Sequence, residues 1–267
     1  ALVREVTAAL DTVEPALAAL PVAAIVAAID RALVCWQTAG TRERATLLEH
    51  GPGLTGYSRP ALVYAVDVML GELRADGLYR LLRDELDDLS VLDGFTAVRP
   101  GLQRLARGPG RQFHVFAGSV PTVAIFSLAC ALLVKSPVLA KPSRHDALFP
   151  ALFARTIAEV EPRLGGALTV LPWSGDEAHL TSLTQAAIRG AGAVVVYGSD
   201  ETVGALRDQV PPTARFVGYG HRISIAAVAR EALDPAGARE AAHKLARDVA
   251  LFDQRGCLSP QLAVVET

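Results

Sequence analysis

Apolar residues recur three and four positions apart over much of the first ninety residues, which is the spacing of one buried face of an α-helix. Charged residues such as Asp67 and Glu72 fall between them. The period-two alternation that marks a strand is sparse in this part of the chain. The pattern predicts helices over residues 10–20, 22–36 and 62–81.

Glycine and proline interrupt this helical pattern at residues 51–53 and again at residues 56–60. Ser58 is predicted to cap the helix that follows, and Pro60 to lie in its first turn, where a missing backbone N–H costs no hydrogen bond. We therefore expect residues 1–107 to form a helical N-terminal region.

From about residue 95, short apolar runs alternate with longer amphipathic segments. The predicted strands are residues 113–117, 138–140, 168–171, 193–197, 215–217 and 223–228, and the predicted helices are 122–134, 146–160, 176–189 and 202–209. This alternation is typical of an α/β fold, a mostly parallel sheet with helices on both faces. The sequence therefore predicts a Rossmann-type dinucleotide-binding domain over residues 108–252, followed by the start of another domain at residues 253–267.

In such sheets, ligands bind at the carboxyl ends of the strands. Four turns directly follow predicted strands and are therefore candidates for one common crevice. They are Gly118-Ser119, Lys141-Pro142-Ser143, Pro172-Trp173-Ser174-Gly175 and Gly198-Ser199.

Composition narrows the class of protein. Hydrophobic residues make up 51% of the chain, charged residues 20%, and the net charge is -2. These values argue against disorder and against a nucleic-acid partner. The apolar runs at residues 16–29 and 121–134 are shorter than a membrane span, so we expect buried helices there. Three widely separated cysteines predict no disulfide framework and favour a cytoplasmic setting.

Lys141, Ser143 and Arg144 are candidates for binding the ribose of a nucleotide, although an ordinary solvated lysine is an equal alternative for Lys141. An acidic residue at this place would bind a ribose 2′-hydroxyl, whereas an arginine accommodates a 2′-phosphate. The cofactor is therefore predicted to be NADPH rather than NADH.

Gly198 and Ser199 precede a predicted helix, where free backbone N–H groups can bind a pyrophosphate. A generic strand-to-helix turn explains them as well, and Asp200 reads as the N-cap of that helix. The histidines lack metal-ligand spacing, so no metal site is predicted, and His114 is expected to be a hydrogen-bonded core residue.

Cys257 stands between Gly256 and a Leu-Ser-Pro turn. On the residues alone it is either a nucleophile or a buried small side chain. The motifs around it occur in a distinctive order. They are Ala117-Gly118-Ser119-Val120-Pro121, Lys141-Pro142-Ser143, residues 196–202, residues 218–224 and residues 254–261.

This ordered set resembles the acyl-CoA reductase (LuxC-like) family of the aldehyde dehydrogenase superfamily, from about Gly56 to the end of the chain. The resemblance implies reduction of a long-chain fatty acyl-CoA or acyl-carrier thioester to the aldehyde, with NADPH, through an acyl-Cys257 intermediate. It also implies a homo-oligomer when full length. Ser119 stands where the superfamily usually has an asparagine that helps to hold the oxyanion.

The resemblance also matches Lys141, Ser143 and Arg144 to the ribose and 2′-phosphate site, and Gly198-Ser199 to the pyrophosphate turn. Only ten residues follow Cys257, so we expect the catalytic domain to be only begun in this chain. The alternatives are an oxidising aldehyde dehydrogenase, a non-catalytic nucleotide-binding fragment and an acyltransferase. The first needs a glutamate base, and the chain has Gly218-Tyr219-Gly220 at that place.

Overall fold

The structure is a computed structural model that describes residues 2–173 and 178–266, with residues 178–181 as backbone only. Contacts divide the chain into one unit that ends at Tyr219 and a second that begins at Gly220. The domain boundaries predicted at residues 107/108 and 252/253 stay predictions.

The first unit begins with helices, as the sequence predicts. They are α1 Leu2–Ala18, α2 Val22–Gln37, α3 Arg42–Thr55, α4 Arg59–Tyr64 and α5 Ala75–Leu86. Ser58 accepts a hydrogen bond from the Ala61 N–H at the start of α4, and Pro60 lies in its first turn. Both predictions for this break are therefore confirmed.

The break predicted at residues 51–53 is wrong, because α3 continues through them. Thr55 donates its hydroxyl hydrogen bond to the Gly51 carbonyl, and Gly51 packs so closely on Leu62 that a Cβ would lie 2.6 Å from its Cδ1. Helix α3 instead ends at Gly56, whose φ of 75° only glycine adopts readily. The helix predicted over residues 62–81 is also interrupted, by a π-turn and a 3₁₀-turn before α5.

Sequence reasoning missed an antiparallel hairpin, β1 Thr96–Arg99 and β2 Leu102–Arg104. A parallel sheet of five strands follows, in the order β5-β4-β3-β6-β7. Its strands are β3 Gln112–Val115, β4 Val138–Lys141, β5 Leu168–Val170, β6 Ala193–Tyr197 and β7 Arg215–Tyr219. The connecting helices are α6 Pro121–Leu133, α7 Leu148–Val160, α8 Ala178–Ile188 and α9 Asp200–Arg207.

Helices cover both faces of this sheet. Phe113 and Val194 point into a cluster with Leu10 of α1 and Ile188 of α8. On the opposite face, the α6 side chain of Ser127 bonds to His114, while α2 packs on α6 and α7. The predicted α/β architecture with a helical N-terminal region is confirmed.

From β3, the chain adds β4 and then β5 on one side of the sheet, and it then returns to add β6 and β7 on the other side. Chain connections leave the neighbouring strands β3 and β6 toward opposite sides, and in sheets of this kind such a reversal marks the place of a ligand-binding crevice at the carboxyl ends of the strands. This crevice is the part of the first unit where a dinucleotide is expected.

The second unit contains two parallel strands, β8 Ser224–Val228 and β9 Pro260–Val265, joined through α10 Pro235–Ala250. Asp234 caps α10 by accepting hydrogen bonds from the N–H groups of Ala236 and Gly237. A turn at Leu251–Gln254 connects α10 to the Cys257 loop, and three of its residues have φ values between 51° and 59°.

Within the described residues, no helix alone has the length and apolar character to cross a bilayer; α1 and α2 meet those criteria only when joined, across a bend of 114°.

Candidate active site

The loop after β3 contains Ser119, the predicted oxyanion donor. Tyr57, which is buried between α3 and α4, donates its hydroxyl hydrogen bond to the Ser119 carbonyl. Gly118 lies so close to the loop after β4 that a Cβ at this position would overlap the Ser143 hydroxyl. The structure therefore brings Ser119 and Ser143 onto two adjoining loops at the carboxyl edge of the sheet.

Lys141 is the last residue of β4, directly beside this loop. Its carbonyl accepts a hydrogen bond of 3.0 Å from the Phe116 N–H, and its Nζ lies 5.8 Å from the centroid of the Trp173 ring. Ser143 accepts a hydrogen bond of 3.1 Å from the His145 N–H, and Arg144 is exposed. Two cationic side chains thus stand on the loop that was predicted to bind the ribose.

Asp146 belongs to the same loop, and sequence reasoning did not identify it. Its side chain is 4% exposed, and Oδ1 has no hydrogen-bond partner among the described residues. Burial raises the pKa of Asp146 to about 7, although a hydrogen bond from the Phe149 N–H acts in the opposite direction. In the sequence this residue looks like an ordinary helix start, because a pattern does not reveal burial.

Gly198 and Ser199 follow β6 on the other side of the reversal point. The Gly198 N–H donates to the Tyr219 carbonyl at 3.2 Å. Ser199, and not Asp200 as predicted, is the N-cap of α9: its hydroxyl accepts a hydrogen bond of 3.3 Å from the Thr202 N–H. Asp200 occupies the first helical position, where a carboxylate is stabilised by the helix dipole.

The first turn of α9 contains two acidic residues, Asp200 and Glu201, which make the predicted pyrophosphate site less favourable for an anion. These carboxylates repel an anion at the helix end, and the Ser199 hydroxyl already caps the helix. Gly198-Ser199 therefore offers an anion little beyond close approach to the backbone. Of the positions predicted to bind a nucleotide, Lys141, Ser143 and Arg144 have the positive charges and hydrogen-bond donors that suit a phosphate.

His114 lies within β3 and is 1% exposed. Its Nε2 is 2.9 Å from Gln112 Oε1, and its Nδ1 is 3.0 Å from the Ser127 hydroxyl. Burial lowers the pKa of His114 to about 3, so the ring is neutral. The prediction of a hydrogen-bonded core histidine is confirmed.

Cys257 lies in the second unit, on the loop that precedes β9. Its side chain is exposed, which is inconsistent with the alternative of a buried small side chain. Ser224, at the start of β8, donates a hydrogen bond of 2.6 Å to the Cys257 carbonyl, and the Ser259 N–H closes a turn onto Gly256 at 3.0 Å. These bonds fix the backbone of the loop around the thiol.

Among the side chains that the structure describes, no three His, Cys, Asp or Glu residues come together as metal ligands. The candidate turn at Pro172-Trp173-Ser174-Gly175 is described only as far as Trp173, so its last two residues lie outside the described residues. Trp173 was predicted from the sequence only as part of this turn and was given no role of its own, although an aromatic residue at a strand's carboxyl end is a recognisable signal.

The sequence of this chain is similar to those of known proteins. A family model described as Acyl-CoA reductase (LuxC) matches residues 17–267. A curated relative from Photorhabdus laumondii, a long-chain acyl-protein thioester reductase, is 26% identical over 189 residues, or 69% of this chain and 38% of that protein. A second, of the same description, from Aliivibrio fischeri is 25% identical over 229 residues, or 85% and 46%. The chain therefore spans less than half the length of these two relatives.

The fold is similar to those of several solved structures. A NAD-dependent benzaldehyde dehydrogenase from Corynebacterium glutamicum matches with a TM-score of 0.74 at 17% sequence identity, over 98% of this chain and 55% of that one. At this identity the likeness establishes the fold alone. The predicted aldehyde dehydrogenase-like fold class is confirmed.

Proposed function

We propose, because the chain belongs to the acyl-CoA reductase (LuxC) family, that it carries the cofactor-binding part and the nucleophile of an enzyme that reduces long-chain acyl thioesters to aldehydes. The observation that carries this proposal is the family match over residues 17–267, which includes both Lys141-Pro142-Ser143-Arg144 and the Cys257 loop.

Cys257 is proposed as the nucleophile. Its thiolate attacks the carbonyl carbon of the thioester, the thiol of CoA or of a carrier leaves, and the acyl group stays on Sγ as a new thioester. The exposed thiol and the hydrogen-bonded backbone of its loop support this role. The backbone N–H of Cys257 is a proposed donor to the oxyanion. For Ser119, the same role is supported only by its match to the superfamily position that usually carries an asparagine.

When bound, the nicotinamide cofactor supplies the hydride that converts the acyl-Cys into a thiohemiacetal, from which the aldehyde leaves and the thiolate is regenerated. Lys141, Ser143 and Arg144 are proposed to hold the ribose and its 2′-phosphate, with Gly198-Ser199 near the pyrophosphate. An arginine at position 144 supports NADPH, because its guanidinium pairs with a phosphate through charge and two parallel hydrogen bonds, which a neutral hydroxyl does not offer.

The acyl donor is proposed to be a long-chain fatty acyl-CoA or an acyl group on a carrier protein. The two curated relatives are named for acyl-protein thioesters, which supports the second source. The setting is proposed to be cytoplasmic, where free thiols such as the three cysteines of this chain persist.

Turnover tests this function. We would follow NADPH absorbance and trap the aldehyde while the chain is mixed with a long-chain acyl-CoA, or with the same acyl group on a carrier protein. Loss of NADPH in equal amount to aldehyde formed is the expected result. Release of free CoA without NADPH loss would instead indicate an acyltransferase, and a chain that neither takes up the acyl group nor binds NADPH would contradict the proposal.

A further inference from the structure

Trp173 occupies the carboxyl end of β5, next to the strand that ends in Lys141. Its Nε1–H donates a hydrogen bond of 3.0 Å to the Thr184 hydroxyl of α8. Its ring is stacked on Phe113, with an interplanar angle of 7° and centroids 6.0 Å apart. An edge and a face of the indole are therefore held by two different elements of the first unit.

This fixed ring lies beside the ammonium group of Lys141, whose Nζ is 5.8 Å from the ring centroid. A cation within about 6 Å of an indole ring is attracted by its quadrupole, and tryptophan is the strongest of the aromatic residues in this interaction. A lysine has a long flexible side chain, and a rigid neighbour limits the conformations that it must lose when it binds a ligand.

We propose that Trp173 is a positioning residue for cofactor binding, which holds the Lys141 ammonium at the carboxyl end of β4, where the ribose phosphate of a dinucleotide is bound. This inference rests on the proposed function, since it assigns Lys141 to the cofactor. Trp173 acts through Lys141, so its effect on binding depends on that side chain. A tryptophan that only fills the core would affect stability, and its effect on binding would be independent of Lys141.

A double-mutant cycle separates these two roles. The dissociation constant of NADPH is measured by calorimetry for the wild-type chain, Trp173→Leu, Lys141→Met and the double variant. We expect Trp173→Leu to weaken binding about threefold, the range of one exposed cation–π contact. Lys141→Met should weaken it at least about tenfold. The double variant should bind as Lys141→Met does. Effects that multiply would overturn the proposal.

Trp173→Phe is a second, more conservative variant, which keeps the test valid if Trp173→Leu does not fold. It keeps a ring that stacks on Phe113 but loses the Thr184 bond and part of the cation–π attraction. We expect about a twofold loss of affinity, which disappears in the Lys141→Met background. If the wild-type chain binds no NADPH, the proposed function fails and this inference with it. If it binds NADPH and neither Trp173 variant weakens binding, only the inference fails.

Discussion

Burial shifts the pKa values of His114 and Asp146 in opposite directions. It lowers the pKa of His114 from 6.5 to about 3 and raises the pKa of Asp146 from 3.8 to about 7. Below about pH 6.5 the unfolded chain protonates His114 and the folded chain does not, so acid destabilises the fold through this residue. Asp146 acts in reverse, since between pH 3.8 and about 7 its folded form keeps a proton that the unfolded chain releases. The stability that this proton contributes is therefore lost as pH rises over that interval, and the loss is complete above about pH 7.

One variant of each residue measures separately what His114 and Asp146 contribute to the pH dependence of the free energy of unfolding. Between pH 7 and pH 5, we expect His114→Gln to gain about 2 kcal/mol of unfolding free energy relative to wild type. Asp146→Asn should be more stable than wild type at pH 8 by roughly 1–3 kcal/mol and should lose that advantage by pH 5. Urea unfolding at pH 5, 7 and 8 measures both. Variants that stay parallel to wild type across this range would contradict the assigned burial.

Arg144 carries the proposed preference for the phosphorylated cofactor. We expect Arg144→Glu to weaken NADPH binding at least about tenfold and to leave NADH binding within about threefold, because a carboxylate repels the 2′-phosphate and accepts from a 2′-hydroxyl. Calorimetry with each cofactor measures this change. Arg107→Glu is the matched control, since this exposed arginine precedes β3, at the opposite edge of the sheet. Equal losses in both variants would indicate a general charge effect.

Among the elements of the fold, the loops that follow β3 and β4 pack directly against each other. A Cβ at Gly118 would overlap the Ser143 hydroxyl, so alanine at this place has to rotate the Ser143 side chain or move the two loops apart. We expect Gly118→Ala to separate them and to weaken NADPH binding roughly threefold to tenfold, with a stability loss of about 1–3 kcal/mol typical of overpacking.

Gly204→Ala provides the control for this variant. Nothing lies within 4 Å of a Cβ at Gly204, in the interior of α9. Alanine there should raise stability by about 0.5–1 kcal/mol and leave cofactor affinity unchanged. Thermal unfolding and calorimetry test the pair together, and an unaffected Gly118→Ala variant would show that the loops do not need their contact.

The periodic elements were the most predictable part of this fold. The sheet strands and α6–α9 carry uninterrupted apolar patterns, and the structure places them within a few residues of the predicted ranges. Residues 51–53 were misjudged because tertiary packing of Gly51 on Leu62 overrides the usual effect of glycine and proline. The hairpin β1–β2 was missed because its strands are short and mostly exposed, so they show little alternation.

The site was less predictable than the fold. Motifs indicated Lys141, Ser143 and Arg144, because a strand end marks its own position in the sequence. The Tyr57 bond to Ser119 and the burial of Asp146 depend on residues that are distant in the chain or on desolvation. Neither leaves a local pattern, so only the packed structure reveals them.

For the molecule as a whole, the proposed reaction depends on transfer of the acyl group to Cys257. The chain offers two matched control thiols. Burial raises the pKa of Cys130 to about 11 and also raises the pKa of Cys35, so both thiols are mostly protonated at neutral pH. Since the thiolate is the nucleophile, neither should react with a thioester.

The intact mass of the chain, measured after it is mixed with a long-chain acyl-CoA, shows whether Cys257 accepts the acyl group. We expect one acyl adduct on the wild-type chain and on Cys35→Ala and Cys130→Ala, none on Cys257→Ala, and loss of the adduct when NADPH is added. An adduct that persists in Cys257→Ala, or no adduct on a folded wild-type chain, would contradict the assignment of Cys257 as the nucleophile.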